Sequence, residues 1–337
     1  MQLIDPMRLP LPCLTISSLL RKKLVLAIGA LLLLVLAVAA LLHRQGQPEA
    51  SVLHVGDQRG AIHSLLQAAG ELDHAPYKID WATFAVGAPL VEAIKAGAVD
   101  FGYVGSSTMT FGLVSGAPLK AISVWRFHGP GSGLLVRPGG SIGAIADLRG
   151  KRIALVRGSP AHLFVAELLR AGGIPYSAVT IINLTPGDAK AALSTGAVDA
   201  WAIWDPYLAI GEREDHLRVL ATSDQFQGEV ECGVASEQAI VTKRAQLQDF
   251  LARVRRAYQW ADSHPDAVAS VYAAETGLPL DIARLVRGRM KAEVLPRITA
   301  DAIAAHQRGA DLYADIGVIP QRLDVGKIYD RSFVLPN

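Results

Sequence analysis

Two rhythms of apolar residues run along this chain. From residue 51 to about residue 221, short apolar runs alternate with amphipathic stretches, and after Lys243 the repeat is almost wholly helical. Runs of period two or of continuous apolar character predict strands at 52–55, 77–84, 99–104, 121–125 and 133–137. A second series follows at 152–156, 179–184, 198–203 and 218–221. Helical spacing predicts helices at 60–70, 89–96, 160–171 and 187–194, then at 246–263, 265–276, 280–290 and 300–316. Strands alternating with helices define an α/β chain whose sheets are mostly parallel and covered by helices.

One internal echo refines this picture. Glu92-Ala93-Ile94-Lys95-Ala96-Gly97-Ala98-Val99-Asp100 is matched by Ala191-Ala192-Leu193-Ser194-Thr195-Gly196-Ala197-Val198-Asp199. In both, a helix ends on Gly, which accepts the left-handed turn, and an Asp opens a buried strand. The echo predicts two similar α/β lobes. Ligands of parallel α/β sheets bind beyond the carboxyl ends of the strands. Those ends are Gly105-Ser106-Ser107-Thr108 in the first lobe and Trp204-Asp205-Pro206-Tyr207 in the second, so two facing lobes would line a cleft with them.

The N-terminus stands apart. Residues 24–42 carry no charge, follow Arg21-Lys22-Lys23 and are closed by His43-Arg44. At about 1.5 Å per residue such a run nearly crosses a hydrocarbon core of roughly 30 Å. The basic residues before it predict that everything after it is exported. Two readings of residues 1–44 fit: a signal peptide cleaved near Ala37-Val38-Ala39, or an uncleaved inner-membrane anchor.

Composition narrows the function classes. The 337 residues include 33 Lys plus Arg and 31 Asp plus Glu, a net charge of +2, which argues against a nucleic-acid partner. Apolar residues make up 51%, enough for a large core. The two cysteines, Cys13 and Cys232, exclude a disulfide framework and a Cys-rich metal cluster. No phosphate loop, no Gly-x-Gly-x-x-Gly after a strand, no nucleophile elbow and no His-Glu-x-x-His occurs, so no cofactor and no metal is expected.

Anion-binding features are better represented. Gly158-Ser159-Pro160-Ala161-His162 joins a strand to a helix, with Ser159 placed to cap and Pro160 at the first helical position. Such a start presents free N–H groups and the positive end of the helix dipole. That start also fits an ordinary helix start with no ligand; Gly105-Ser106-Ser107 and Gln58-Arg59-Gly60 are two further strand ends on the same predicted rim, with Arg59 either a ligand cation or a solvated surface Arg. Trp204 and Tyr207 suit either an organic tail or packing between lobes. Asp205 suits either a ligand amine or a helix cap. Glu229 and Glu231 fall on the return strand, as surface charges or as contacts to a cationic group.

With these residues in place, the chain resembles the aliphatic-sulfonate-binding proteins of bacterial ABC importers, within the wider group of taurine-, nitrate- and thiamine-precursor-binding proteins. The carrying stretches are Gly87-Ala88-Pro89-Leu90-Val91-Glu92-Ala93, Gly97-Ala98-Val99-Asp100-Phe101-Gly102, Gly158-Ser159-Pro160-Ala161-His162, Ala200-Trp201-Ala202-Ile203-Trp204-Asp205-Pro206-Tyr207 and Gly317-Val318-Ile319-Pro320. The resemblance implies a two-lobed periplasmic-binding-protein fold of type II. Lobe 1 would hold residues 51–135 plus 230–337 and lobe 2 residues 136–229, hinged near 131–136 and 227–234. It implies a periplasmic monomer that captures a small organic anion, an aliphatic sulfonate such as an alkanesulfonate or taurine, and delivers it to an inner-membrane permease. Ser106, Ser107, Ser159 and His162 would contact the oxyanion, beside the backbone of Gly105 and Gly158, with Gln58 and Arg59 at the edge. Trp204 and Tyr207 would line the tail, and Asp205 would orient donors or meet an amine. Gly105-Ser106-Ser107 is closer to the taurine-type binders and Trp204-Asp205-Pro206-Tyr207 to the alkanesulfonate type. The rival readings are an enzyme like the thiamine-pyrimidine synthases, whose Cys-rich motif this chain lacks, and a membrane-tethered ligand sensor.

Overall fold

The computed structural model describes residues 52–336 apart from His128, Gln227 and Gly228. The signal-peptide and anchor readings of residues 1–44 therefore lie outside the described residues. No described helix is long and apolar enough to cross a membrane.

Two mixed sheets form two lobes. The chain begins β1 (Val52–Gln58), α1 (Ala61–Ala68), β2 (Lys78–Phe84), α2 (Gly87–Lys95), β3 (Phe101–Gly105), α3 (Ser106–Val114) and β4 (Leu119–Phe127). It then crosses to β5 (Ser132–Val136), β6 (Arg152–Leu155), α4 (Pro160–Ala171), β7 (Thr180–Asn183), α5 (Pro186–Thr195), β8 (Ala200–Trp204), α6 (Tyr207–Arg213) and β9 (Arg218–Thr222). It returns in β10 (Glu231–Ser236), α7 (Glu237–Thr242), α8 (Arg244–Ser263), α9 (Pro265–Thr276), α10 (Leu280–Arg289), β11 (Ala292–Val294) and α11 (Ala300–Asp315). The first sheet has the order β11-β4-β10-β3-β1-β2 and the second β7-β6-β8-β5-β9. Each contains a parallel triplet, β2-β1-β3 and β7-β6-β8, continued by antiparallel strands.

The sequence echo has a physical basis in those triplets. Gly97 and Gly196 both turn through the left-handed region, at φ 75° and 77°. Asp100 then accepts the His54 N–H at 2.7 Å, and Asp199 accepts the Arg152 N–H at 2.8 Å. Each Asp thus pins the neighbouring parallel strand at its first rung. A cation completes each joint: Lys243 on Asp100 at 2.6 Å and Arg152 on Asp199 at 3.0 Å.

Apolar packing explains the elements the pattern missed. α3 reads Ser-Ser-Thr-Met-Thr-Phe-Gly-Leu-Val, and six of its residues, from Ser106 to Thr110 plus Gly112, are buried. A helix enclosed nearly all round shows no apolar stripe. β11 is a three-residue edge strand, too short to register. Two seams join the lobes. Leu163 and Ala166 of α4 pack on Leu312 and Tyr313 of α11, and Ala209 of α6 packs on Tyr272, Ile282 and Val286. Each fully buried Leu, Ile or Val contributes about 1.5–3 kcal/mol, so both seams favour apposed lobes.

Candidate functional site

A cleft lies where the strand ends of the two sheets face each other. From the first lobe it is lined by Gln58, Arg59, Tyr103, Gly105 and Thr108, from the second by Gly158, Ser159, Pro160, Trp204 and Asp205, and from the return crossing by Glu229 and Glu231. Phe127, Tyr272 and Met290 add apolar surface. Seven of the eleven predicted contact residues line it; Ser106, Ser107, His162 and Tyr207 do not.

Arg59 is a half-buried cation of the lining. It holds φ 53°, in the left-handed region, followed by Gly60 at φ 73°. Such a turn is uncommon for a residue with a side chain and clusters at functional sites. It lets Asp57 fold back over the start of α1, accepting the N–H groups of Ile62 at 3.2 Å and His63 at 2.9 Å. Burial pushes the Asp57 carboxyl up to about 6. Sequence reasoning missed Asp57, whose only signal was an acid a few residues before a helix. Arg59 itself reaches across the cleft. Its guanidinium lies 4.8 Å from the Tyr207 ring centroid, and Nη1 donates to the Tyr207 hydroxyl at 3.0 Å. Nε is buried with no hydrogen-bond partner among the described residues. Gln58 is committed instead to the Tyr103 carbonyl at 2.8 Å.

The rim of the second lobe is built around Ser159. Its hydroxyl caps α4, accepting the His162 N–H. The Gly158 N–H donates to His162 Nδ1 at 3.1 Å, so the ring proton sits on Nε2, which faces the Tyr176 hydroxyl at 2.7 Å. Burial holds His162 down to about 3, and Arg157 lowers it further. His162 is therefore a neutral prop behind the turn and not the oxyanion contact that the sequence suggested. Ser159 lines the cleft, and its hydroxyl proton is uncommitted among the described residues.

Ser106 and Ser107 also depart from the expected role. The Ser106 N–H donates to the Val230 carbonyl at 2.8 Å, and its hydroxyl accepts the Val230 N–H. The Ser107 N–H donates to Glu229 Oε1 at 3.1 Å and its hydroxyl to Oε2. The Glu229 carboxylate thus sits at the positive end of α3, where an anionic guest was expected. Burial pushes Glu229 up to about 7 against the pull of these bonds. The fit requires glycine at 105: a Cβ there would stand 2.5 Å from Glu229 Oε1 and 2.7 Å from Pro160 Cγ.

Trp204 and Tyr207 meet edge to face, with centroids 6.3 Å apart, at the wall where α6 begins. Asp205 caps α6 through Oδ1, which accepts the Ala209 N–H at 3.0 Å, and Arg289 of the first lobe lies 3.6 Å from the same oxygen. Burial pushes Asp205 up to about 6. Arg289 also bonds Glu212 of α6, and Thr108 donates to the Gly158 carbonyl at 3.0 Å, so polar bonds tie the lobes on both sides of the cleft. Cys232 is fully buried against Tyr329 and off the cleft lining, with its thiol pushed up by burial.

Residues 86–268 match the NMT1/THI5-like family. The chain is 30% identical to a protein of Escherichia coli (strain K12) named as an aliphatic sulfonates-binding protein, over 90% of this chain and 94% of that one. A taurine-binding periplasmic protein of the same organism is 32% identical over 44% of this chain and 45% of its own length. Among solved structures, the alkanesulfonate-binding protein SsuA from Xanthomonas axonopodis pv. citri, bound to MOPS, superposes with a TM-score of 0.76 at 28% identity. That match covers 83% of this chain and 98% of the other.

Proposed function

The chain belongs to the NMT1/THI5-like family, and from that premise we propose that it is the periplasmic solute-binding component of an ABC importer. It captures an aliphatic sulfonate between its lobes and presents it, as a single chain, to an inner-membrane permease. The reading draws its ligand class from the relatives named for aliphatic sulfonates and from the solved relative bound to MOPS.

One observation carries it. Arg59 lines the cleft from one lobe, its Nε buried and unpaired among the described residues, and Ser159 at the start of α4 lines it from the other. A sulfonate is a permanent anion with three acceptor oxygens. A guanidinium supplies charge and directed donors together, and the helix dipole adds to both. Trp204, Phe127, Tyr272 and Met290 would cover the organic tail. Binding would draw on residues of both lobes, so a guest favours their apposition, a hinge-type closure.

Calorimetry on the purified chain tests this. Ethanesulfonate and butanesulfonate should bind more tightly than sulfate or nitrate, with Kd below about 100 μM, roughly −5.5 kcal/mol. Sulfonate binding weaker than that would overturn the reading.

A further inference from the structure

We propose that Arg289 is a positioning residue for the guest: from outside the cleft lining it clasps the second lobe and sets how slowly the guest leaves. This deepens the sulfonate reading and rests on it.

Its placement argues for the role. Arg289 closes α10 in the first lobe, and its side chain is 18% exposed. Nη2 donates to Glu212 Oε2 of α6, and Nη1 lies 3.6 Å from Asp205 Oδ1, so one guanidinium meets two carboxylates of the second lobe. Both ends of the clasp continue into the cleft wall. Met290, the next residue, lines the cleft, and so do Asp205 and its neighbour Trp204. The backbone of Arg289 packs on the first crossing, where a Cβ at Gly129 would collide with its carbonyl. Crossing, second lobe and cleft wall therefore meet at a residue that is itself off the lining.

The clasp is also half made. At 3.6 Å Nη1 is beyond hydrogen-bond reach of Oδ1. Nη1 and Asp205 Oδ2 are both buried with no hydrogen-bond partner among the described residues. An unmatched buried donor and acceptor are costly, and these two stand on opposite lobes, so tighter apposition is the motion that pairs them. The neighbouring cations do not substitute for Arg289. Arg213, on α6 itself, lies 3.9 Å from Glu212 Oε1 and faces water, and Arg284 of α10 pairs with Asp266 of α9 inside the first lobe.

A guest between two lobes leaves only after they part. A contact that exists only while they are apposed therefore slows dissociation and leaves association almost untouched. A residue that merely stabilised the fold would lower the thermal midpoint and move neither rate.

Stopped-flow tryptophan fluorescence of the full chain with butane-1-sulfonate tests the proposal. Arg289→Gln should raise the dissociation rate about tenfold and change the association rate by less than about twofold. Glu212→Gln should raise dissociation about threefold to fivefold, and the double variant should be no faster than Arg289→Gln alone, because both act through one pair. Arg284→Gln should leave both rates as they are. Dissociation within about twofold of the wild type in Arg289→Gln, or a change confined to association, overturns the clasp and leaves the sulfonate reading standing. So do effects that multiply in the double variant, and so does an equal rise in Arg284→Gln, which would mark a general loss of surface charge. Should Arg289→Gln not fold, the dissociation rate of Glu212→Gln decides. Failure of the wild type to bind butane-1-sulfonate overturns the sulfonate reading and the clasp with it.

Discussion

Of the helices that begin at the cleft, α3 in the first lobe and α4 in the second are both opened by serines, and of these two only the start of α4 is available to a guest. At α3 the Ser107 N–H and hydroxyl are closed by the Glu229 carboxylate, and Ser106 is tied to Val230. At α4 Pro160 brings no N–H and His162 takes the Gly158 N–H, yet Ser159 and the positive end of the dipole line the cleft, and the Ser159 hydroxyl proton is uncommitted among the described residues. The difference lies outside both helices. The return crossing, more than 120 residues beyond Ser107, carries an acid to the first start and none to the second. A helix N-terminus becomes an anion site only where no carboxylate of the same chain reaches it first. The first start is thereby a joint between the lobe and its crossing, and the second, opposite Arg59, is the recognition end.

The largest expected effect comes from removing the cation opposite α4. Arg59→Ala deletes a charge-assisted contact and should cost about 2–3 kcal/mol of sulfonate binding, roughly 30-fold to 150-fold in Kd by calorimetry. If binding survives within about threefold, the guest does not sit at the α4 end. Gly105→Ala breaks the other start. The new methyl would meet Glu229 Oε1 at 2.5 Å and Pro160 Cγ at 2.7 Å, pushing the carboxylate off Ser107 and the lobes apart. Overpacking of this kind costs about 1–3 kcal/mol, read as a lowered thermal midpoint.

These two substitutions also mark how much of the molecule was legible in the sequence. The parallel triplets and the flanking helices α4, α5 and α9 follow from apolar spacing. The paired Gly97–Asp100 and Gly196–Asp199 joints follow from local turn chemistry that a short motif encodes completely. The rim also followed, because strand ends are local features. What did not follow was occupancy. Nothing near Ser106 or Ser107 announces that Glu229 will claim their donors, and nothing near His162 announces that its ring will prop Gly158. Such pairings are set when distant segments meet, so local pattern brings seven of the eleven residues to the cleft lining and does not foresee that Ser106, Ser107 and His162 are held behind it by other partners. α3 was missed for the same reason: its burial comes from both lobes at once.

A titration sharpens the comparison further. Burial lifts the folded Glu229 carboxyl to about 7 from an ordinary value of 4.5. A raised acid holds its proton more tightly in the folded state, so its stabilisation is complete below about pH 4.5 and is lost as pH rises through about 7. Asp57 and Asp205, each lifted to about 6, act in the same direction. The buried neutral His162 and His306, both held down to about 3, act oppositely and favour the fold as pH rises towards about 6.5. The Glu229→Gln variant isolates one group from this sum. Gln can still accept the Ser107 N–H but never ionises, so at about pH 8 the variant should exceed the wild type by about 2 kcal/mol, on the order of 4 °C in Tm. At about pH 4.5 the two midpoints should converge. A gap independent of pH would place the Glu229 carboxylate in water and not at the start of α3.

The smallest effects separate the two starts most cleanly, because the same substitution is made at each. Ser159→Ala removes a hydroxyl of the lining that also caps α4. Sulfonate affinity should fall about five-fold to tenfold and the fold should lose about 1 kcal/mol with the cap. Ser107→Ala removes a hydroxyl bonded to Glu229 and off the lining. It should lower stability by about 1 kcal/mol and leave affinity within about twofold. Calorimetry and thermal melts on both variants give four numbers, and only one pattern fits: two losses of stability and a single loss of affinity. If Ser107→Ala weakens the sulfonate as much as Ser159→Ala does, the Glu229 carboxylate yields its place to the guest, and the first helix start joins the second in recognition.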